Sequence, residues 1–187
     1  MSEITLILIR HGEASQAWGD NLDPGLSIEG MKQSELLTED NKLQSLKDFT
    51  FISSPKSRAL LTAAPLANIY KKDLIIDPIF SEIPSVDIEL ADKRRWLTDI
   101  MKMDINSLPT MVSNWRDKIL SKVLTLNQDS IVFTHFMVIN SIIGKLVDNP
   151  TLLYFYPDYT SITKIIIEDG IVKEFYVGGE KKTLINL

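Results

Sequence analysis

The sequence predicts an α/β fold: a three-layer α/β/α sandwich with a mostly parallel central sheet and an antiparallel hairpin at its C-terminal end. Three observations lead there. Strand-like and helix-like stretches alternate along the chain. Ile4 to Ile9, in "EITLILIR", is almost continuously apolar and rich in β-branched residues, as in a strand buried on both faces. Near the end, "ITKIIIEDGIVKEFYV" sets two alternating runs around Asp169 and Gly170, a pair that favours a type I′ hairpin turn.

The intervening elements follow in order. "LSIEGMKQSELLTEDNKL" reads as a helix capped by Ser27, with Met31, Leu36, Leu37 and Leu43 near helical spacing on its apolar side. "FTFISS" is a short strand, and Pro55 then suits the first turn of the helix "PKSRALLTAAPLANIY". "DLIIDPIF" suggests another short strand. Asp87 to Met111 is charged and irregular, an excursion with one short helix. "TMVSNWRDKILSKVLTL" is amphipathic, "DSIVFTH" is a strand running into a histidine, and "FMVINSIIGKLV" is apolar enough for a buried helix. With neither repeats nor low-complexity linkers, residues 1–187 are expected to form one domain, with a possible cap at about 82–112.

Composition narrows the function classes. A chain of 187 residues, 44% hydrophobic and 24% charged, can bury a full core. Its net charge of −5 argues against nucleic acid or an anionic membrane surface as a partner. The absence of cysteine excludes disulfides, thiolate metal sites and cysteine nucleophiles. No apolar run reaches the length of a spanning helix. The N-terminus carries an acid rather than a basic region, so a signal peptide is not expected and the cytoplasm is the expected compartment. Composition leaves the oligomeric state open.

The two histidines of the chain, His11 and His135, each directly follow a strand. In open α/β sheets, ligands bind beyond the carboxyl ends of the strands. A lone histidine there is more often structural, but two of two at one edge shift that balance. Arg10 precedes His11, and Arg58 falls in the first turn of the helix after "FTFIS", although a solvated face or a salt bridge would also account for Arg58. Guanidinium forks bind the peripheral oxygens of a phosphoryl group bidentately. A neutral imidazole can attack phosphorus, and neighbouring guanidinium charge favours that neutral form. Gly12 allows close backbone approach to an anion, and Glu13 could orient a cationic or imidazole neighbour.

These residues carry a resemblance. "LIRHGEA" resembles the opening signature of the histidine phosphatase superfamily, the phosphoglycerate mutase-like branch with the RHG motif. "DPGLSIEGMKQSELL" is similar to the segment that follows it, "SSPKSRALLTA" to the second arginine motif, and "IVFTHFMVINSII" to the late strand–histidine–helix element. The four occur in family order between Leu6 and about Ile143. The resemblance implies His11 as the nucleophile that forms phosphohistidine, and Arg10, Arg58 and His135 as the residues binding the transferring phosphate. It also implies a glutamate general acid after the third strand, for which Glu82 in "PIFSEIPSV" matches. Asp87 and Glu89 are alternative acids. No metal or other cofactor is implied.

The chain departs from the family pattern in places. Ile83, Pro84 and Ser85 follow the acid where a glycine and a "WEG"-like stretch are common. Phe136 stands where glycine often follows the second histidine; its N–H can face a phosphate while its ring narrows the pocket. Ala14 replaces a polar residue. Lys93, Arg94, Arg95 and Trp96 in the excursion suggest a cap gripping an anionic tail through Arg94 and Arg95, against the blander reading of a solvated charged helix over a packed Trp96. Trp18 and Trp115 read as packing residues. The expected function is a metal-independent phosphomonoesterase acting through phosphohistidine on a small phosphorylated metabolite. A phosphoglycerate-type mutase and a catalytically silent phosphate-binding module are the alternatives.

Overall fold

A computed structural model describes residues 3–16 and 21–181; Trp18 lies outside them. In chain order the strands are β1 (Glu3–Arg10), β2 (Thr50–Ser53), β3 (Ile75–Ile76), β4 (Ser130–Thr134), β5 (Ile162–Glu168) and β6 (Ile171–Tyr176). The helices are α1 (Ile28–Leu36), α2 (Ser57–Tyr70), α3 (Lys93–Lys102), α4 (Thr110–Leu124) and α5 (Phe136–Leu146), joined in places by single 3₁₀ turns. The strands form one six-stranded sheet in the order β3-β2-β4-β1-β5-β6. The first four positions run parallel, and β5 and β6 close the sheet as an antiparallel hairpin. Asp169 and Gly170 at its turn both take positive φ, 53° and 75°, as a type I′ turn requires.

Alternation along β1 builds both outer layers. Ile4, Leu6 and Leu8 meet Ile119 and Val123 of α4 and Val138, Ile139, Ile142 and Ile143 of α5. Ile7 and Ile9 face the other way, onto Ala63, Leu66 and Ala67 of α2 and onto Leu37 and Leu43. A strand that must be apolar on both sides explains why "ITLILI" has almost no polar interruption. A third apolar cluster joins Ile83, Leu97, Ile100, Met101 and Val112 to Phe136 and Met137, so the excursion packs on the first turn of α5.

Three local expectations are corrected. The helix after Ser27 ends at Leu36, and Met31 and Leu36 are 40% and 60% exposed rather than apolar anchors. The residues α1 buries are Gly30 and Ser34, because it lies too close to its neighbours for larger side chains. Ser27 does cap it, accepting the Gly30 amide at 2.9 Å. Pro55 lies outside α2 rather than in its first turn: Lys56 is extended, and Asp23 caps the helix by accepting the amide and hydroxyl of Ser57 at 3.0 and 2.8 Å. β3 keeps only two residues, both exposed, at the sheet edge.

The approach of α1 fixes the segment after β1. A Cβ on Gly30 would stand 2.0 Å from the Glu13 carbonyl oxygen, inside any permitted contact. Gly30→Ala is therefore expected to lower stability by at least about 2 kcal/mol, as overpacking against an immobile backbone does. Urea denaturation measures this, and an unchanged midpoint would contradict the close packing.

Candidate active site

The register between the central strands makes the site. Arg10 of β1 is paired with Thr134 of β4, so His11 and His135 leave the sheet side by side. The His11 amide still donates to the Thr134 carbonyl at 2.9 Å. The two rings stand 5.2 Å apart, centroid to centroid, edge to face.

His11 is buried, and its tautomer follows from its partners. Nδ1 lies 2.7 Å from the Gly12 carbonyl oxygen, which only accepts, so Nδ1 carries the proton. Nε2 then presents a lone pair, which accepts the Nε–H of Arg58 at 3.1 Å. Burial first, then the charges of Arg58 and Arg10, hold the imidazole well below the usual histidine range. His135 is fully buried, with Nε2 2.7 Å from the Ser54 hydroxyl. Burial, followed by the charge of Arg58, the competing titration of His11, and the charges of Lys56 and Arg10, lowers its pKa well below the usual histidine range as well. Two neutral imidazoles between two guanidinium groups make a cavity suited to an anion.

Arg10 is completely buried, yet its charge is accommodated. Nη1 donates to the Pro157 carbonyl at 2.7 Å, and the guanidinium lies 4.2 Å from the Tyr159 ring centroid and 5.2 Å from that of Phe136. Burial lowers its pKa to about 10, with Tyr159, Glu82 and Asp158 opposing, so it stays cationic at neutral pH. Arg58, the second residue of α2, is held by the His11 contact and by Asp23, 3.9 Å from Nη1. Burial lowers its pKa against the pull of Glu82 and Asp23.

Glu82 reaches this group from the loop after β3. Its Oε1 accepts the amides of Ile83 at 3.0 Å and of Met137, in the first turn of α5, at 3.1 Å. The loop is pinned where Thr134 Oγ1 donates to the Phe80 carbonyl at 2.8 Å and Trp115 Nε1 donates to that of Ser81 at 3.2 Å. Burial raises the carboxyl pKa, and the Ile83 amide, Arg58, Arg10 and the Met137 amide only partly offset it. Asp87 and Glu89 are exposed. Glu82, not either of these, lines the cavity of about 220 Å³ that it shares with Arg58, Lys56 and Lys93.

Other expected contacts fall elsewhere. The Gly12 amide donates to Thr62 Oγ1 at 2.9 Å, and a Cβ there would meet the Gly30 carbonyl at 2.8 Å, so its close approach serves α1 rather than an anion. Glu13 accepts the Ser27 hydroxyl at 2.6 Å and orients that cap, not an imidazole. Phe136 is buried beneath Arg10, its ring centroid 5.9 Å from that of Tyr156. Arg94 and Arg95 are exposed and absent from the cavity wall, where Lys93 stands instead. A single residue step, about 100° of helix rotation, separates Lys93 from the solvent-facing Arg94, and charge type alone does not reveal which residue turns inward.

Several contributors escaped sequence reasoning. Asp23 and Ser54 carried no visible pairing signal, and Tyr159 arrives from a loop far along the chain. Lys56 sits in plain view in "SSPKSR", two residues before Arg58. No cluster of three or more metal-ligating side chains occurs among the described residues, nor is any helix there long and apolar enough to cross a membrane.

The carboxyl ends of the central strands thus bring two histidines and two arginines together in one buried cluster. The profile of the histidine phosphatase superfamily, branch 1, matches residues 6–173: the chain belongs to that superfamily and is by that membership a phosphatase-class enzyme. The fold is similar to that of YhfR from Bacillus stearothermophilus, at 21% identity over 96% of this chain and 98% of that one, with a TM-score of 0.76. A phosphoserine phosphatase variant from Entamoeba histolytica, in complex with phosphoserine, is 24% identical over 92% of this chain and 96% of its own, with a TM-score of 0.64. Phosphoglycerate mutase from Bacillus anthracis is 20% identical over 92% and 91%, with a TM-score of 0.66. No curated protein sequence gave a significant match.

The depressed imidazoles tie stability to pH. In the unfolded chain both histidines take up protons below about pH 6.5, whereas the folded chain resists them, so each removes up to about 1.4 kcal/mol per pH unit as the pH falls. Glu82 acts in the opposite sense: between the ordinary glutamate pKa and its raised one, the folded chain binds the extra proton and gains stability. Two groups against one give a net loss. Urea midpoints should fall from pH 7 to pH 5, with a shallower fall in His135→Gln; equal slopes would contradict neutral burial of His135.

Proposed function

We propose that the chain is a metal-independent phosphomonoesterase that hydrolyses a small phosphorylated metabolite through phosphohistidine on His11. The observation that carries this reading is the contact of His11 Nδ1 with the Gly12 carbonyl, which assigns the proton to Nδ1 and leaves the Nε2 lone pair beside Arg58. In the structure that lone pair accepts a hydrogen bond from Arg58. A phosphoryl dianion offers Arg58 stronger, charged acceptors, so substrate binding frees the nucleophile as it positions phosphorus.

The first step forms the bond from His11 Nε2 to phosphorus and breaks the bond from phosphorus to the ester oxygen. Arg10, Arg58 and His135 stabilise the charge spread over the peripheral oxygens. Glu82, whose acid form burial favours, gives its proton to the departing alkoxide. In the second step the Glu82 carboxylate takes a proton from water as the water oxygen attacks phosphorus. The nitrogen–phosphorus bond breaks, inorganic phosphate leaves, and His11 and Glu82 return to their starting forms.

Hydrolysis is favoured over mutase chemistry by the wall of the cavity. Leu22 and Val86, which line the cavity with Arg58 and Glu82, are 74% and 82% exposed, so among the described residues this side of the site faces solvent, which favours water as the acceptor. With a broad panel of phosphomonoesters and EDTA present, free phosphate is expected and phosphoglycerate isomerisation should be slow. Efficient isomerisation would favour a mutase, and tight phosphate binding without turnover a silent binding module. Acid-labile, base-stable phosphate should appear on His11 in quenched reactions. His11→Ala should abolish it and lower turnover by about 10³-fold or more; a label elsewhere would overturn the mechanism.

The pH profile tests Glu82 separately. Because its acid form is the reactive one, kcat/KM for alkyl phosphates should fall as pH rises through its raised pKa. His11, held far down, should not limit the weakly acidic side. Glu82→Gln should remove the alkaline limb and harm alkyl phosphates more than aryl phosphates, whose leaving groups need little protonation. Equal losses on both substrate types would remove Glu82 from the role.

A further inference from the structure

We propose that Ser54 is a positioning residue for phosphoryl binding: its hydroxyl donates to His135 Nε2 and fixes the ring proton on His135 Nδ1, which makes that imidazole an uncharged hydrogen-bond donor to the transferring phosphate. The inference rests on the phosphomonoesterase reading above and gives Ser54 a part in the same site.

Strand register brings the pair together. β2 lies beside β4 with Ser53 opposite Phe133, so Ser54 and His135 leave neighbouring strands at one edge of the sheet. The Ser54 amide still donates to the Phe133 carbonyl at 3.0 Å, which keeps its backbone on that edge. Both residues are fully buried, and Ser54 Oγ stands 2.7 Å from His135 Nε2.

The direction of that hydrogen bond follows from what each group has left to offer. Ser54 Oγ accepts the Lys56 amide at 3.3 Å, so its hydroxyl proton is the part still to be placed, and among the described residues His135 Nε2 is the acceptor beside it. His135 Nδ1 has no hydrogen-bond partner there, and although His135 immediately precedes α5, its ring does not cap that helix. A proton on Nε2 would leave two buried groups unpaired, the Ser54 O–H and the Nδ1 lone pair. A proton on Nδ1 leaves one, and each unpaired buried group costs stability. Burial and Arg58 hold the ring pKa low, so the Nδ1–H belongs to a neutral imidazole. That N–H points away from Ser54, in a ring 5.2 Å from the ring of His11. A phosphoryl oxygen held by His11 and Arg58 can accept it, whereas a bare Nδ1 would set a lone pair against the anion. The two imidazoles thus carry protons on the same nitrogen for opposite ends: His11 shows phosphorus a lone pair, and His135 shows its oxygens an N–H.

The chain has two histidines, so nitrogen NMR of isotope-labelled histidine reads both rings, and His135→Gln assigns them. At neutral pH the native protein should show His135 protonated at Nδ1 and bare at Nε2. Titration with inorganic phosphate should shift the Nδ1–H signal downfield while the nitrogen stays protonated. Ser54→Ala should lose both the single-tautomer pattern and the response to phosphate, and should lower kcat for an aryl phosphate by about tenfold or more, as loss of one oriented donor does. Ser54→Thr keeps the hydroxyl and should keep the tautomer and most of the rate. A native His135 protonated at Nε2, or an Nδ1–H that ignores phosphate, would overturn the proposal and leave the phosphatase reading standing. So would a slow Ser54→Ala variant that retains the Nδ1–H tautomer, since the loss would then be structural. No turnover of any phosphomonoester by the native protein, with no acid-labile phosphate on His11, would overturn the phosphatase reading instead. The native tautomer and its response to phosphate then decide the part of Ser54, as they do if Ser54→Ala fails to fold.

Discussion

Everything in this protein hangs on the parallel pairing of β1 with β4 at the middle of the sheet. Each strand is buried on both faces, so neither can slide by one residue without turning its apolar set inside out. That rigidity fixes Arg10 opposite Thr134 and makes the next residue of each strand a histidine. The helix that follows β4 offers its first turn to Glu82, and the Thr134 hydroxyl holds the loop that carries Glu82. The site is thus an extension of the sheet register rather than an ornament on loops.

Collecting charge at such a place needs compensation. The imidazoles manage it by staying neutral. The arginines cannot, and they find partners in aromatic faces, main-chain carbonyls and carboxylates around the edge. The Arg10 guanidinium between Tyr159 and Phe136, with the Pro157 carbonyl as acceptor, shows how aromatic faces and main chain help to accommodate a buried cation. Burial, reinforced by the positive field of the arginines, is what lowers the histidine pKa values.

Much of this was legible in the amino-acid order, and the limits of that legibility are physical. The strand at Ile4 to Ile9, the hairpin at Asp169 and Gly170 and the Ser27 cap follow from local chemistry, and all three are present. His11, Arg10, Arg58 and His135 converge because strand ends in an α/β sheet share one edge. α1 could not be read correctly from periodicity. Its inward face is small rather than apolar, since Gly30 lies against the Glu13 carbonyl, and crowding of that kind leaves no mark in a hydrophobic pattern. The roles given to Gly12, Glu13 and Phe136 shifted for a related reason: each lies beside the pocket in sequence, but its partners come from α1, α2 or the loop before β5. Within "KRRW" the residue that faces the cavity is set by helix phase, which the spacing of charges did not reveal.

Main-chain atoms hold much of the chemistry. His11 is oriented by the Gly12 carbonyl, Arg10 by that of Pro157, and Glu82 by the amides of Ile83 and Met137. A carbonyl or an amide is present whatever side chain its residue bears. At positions 83 and 137, whose side chains pack in the third apolar cluster, substitutions that keep that packing can therefore accumulate over a lineage while the reacting groups stay where they are. The wall of the cavity enjoys no such protection, because there the exposed side chains themselves, Leu22 and Val86 among them, form the surface. Inheritance should then be conservative about the reaction and permissive about the molecule it is performed on.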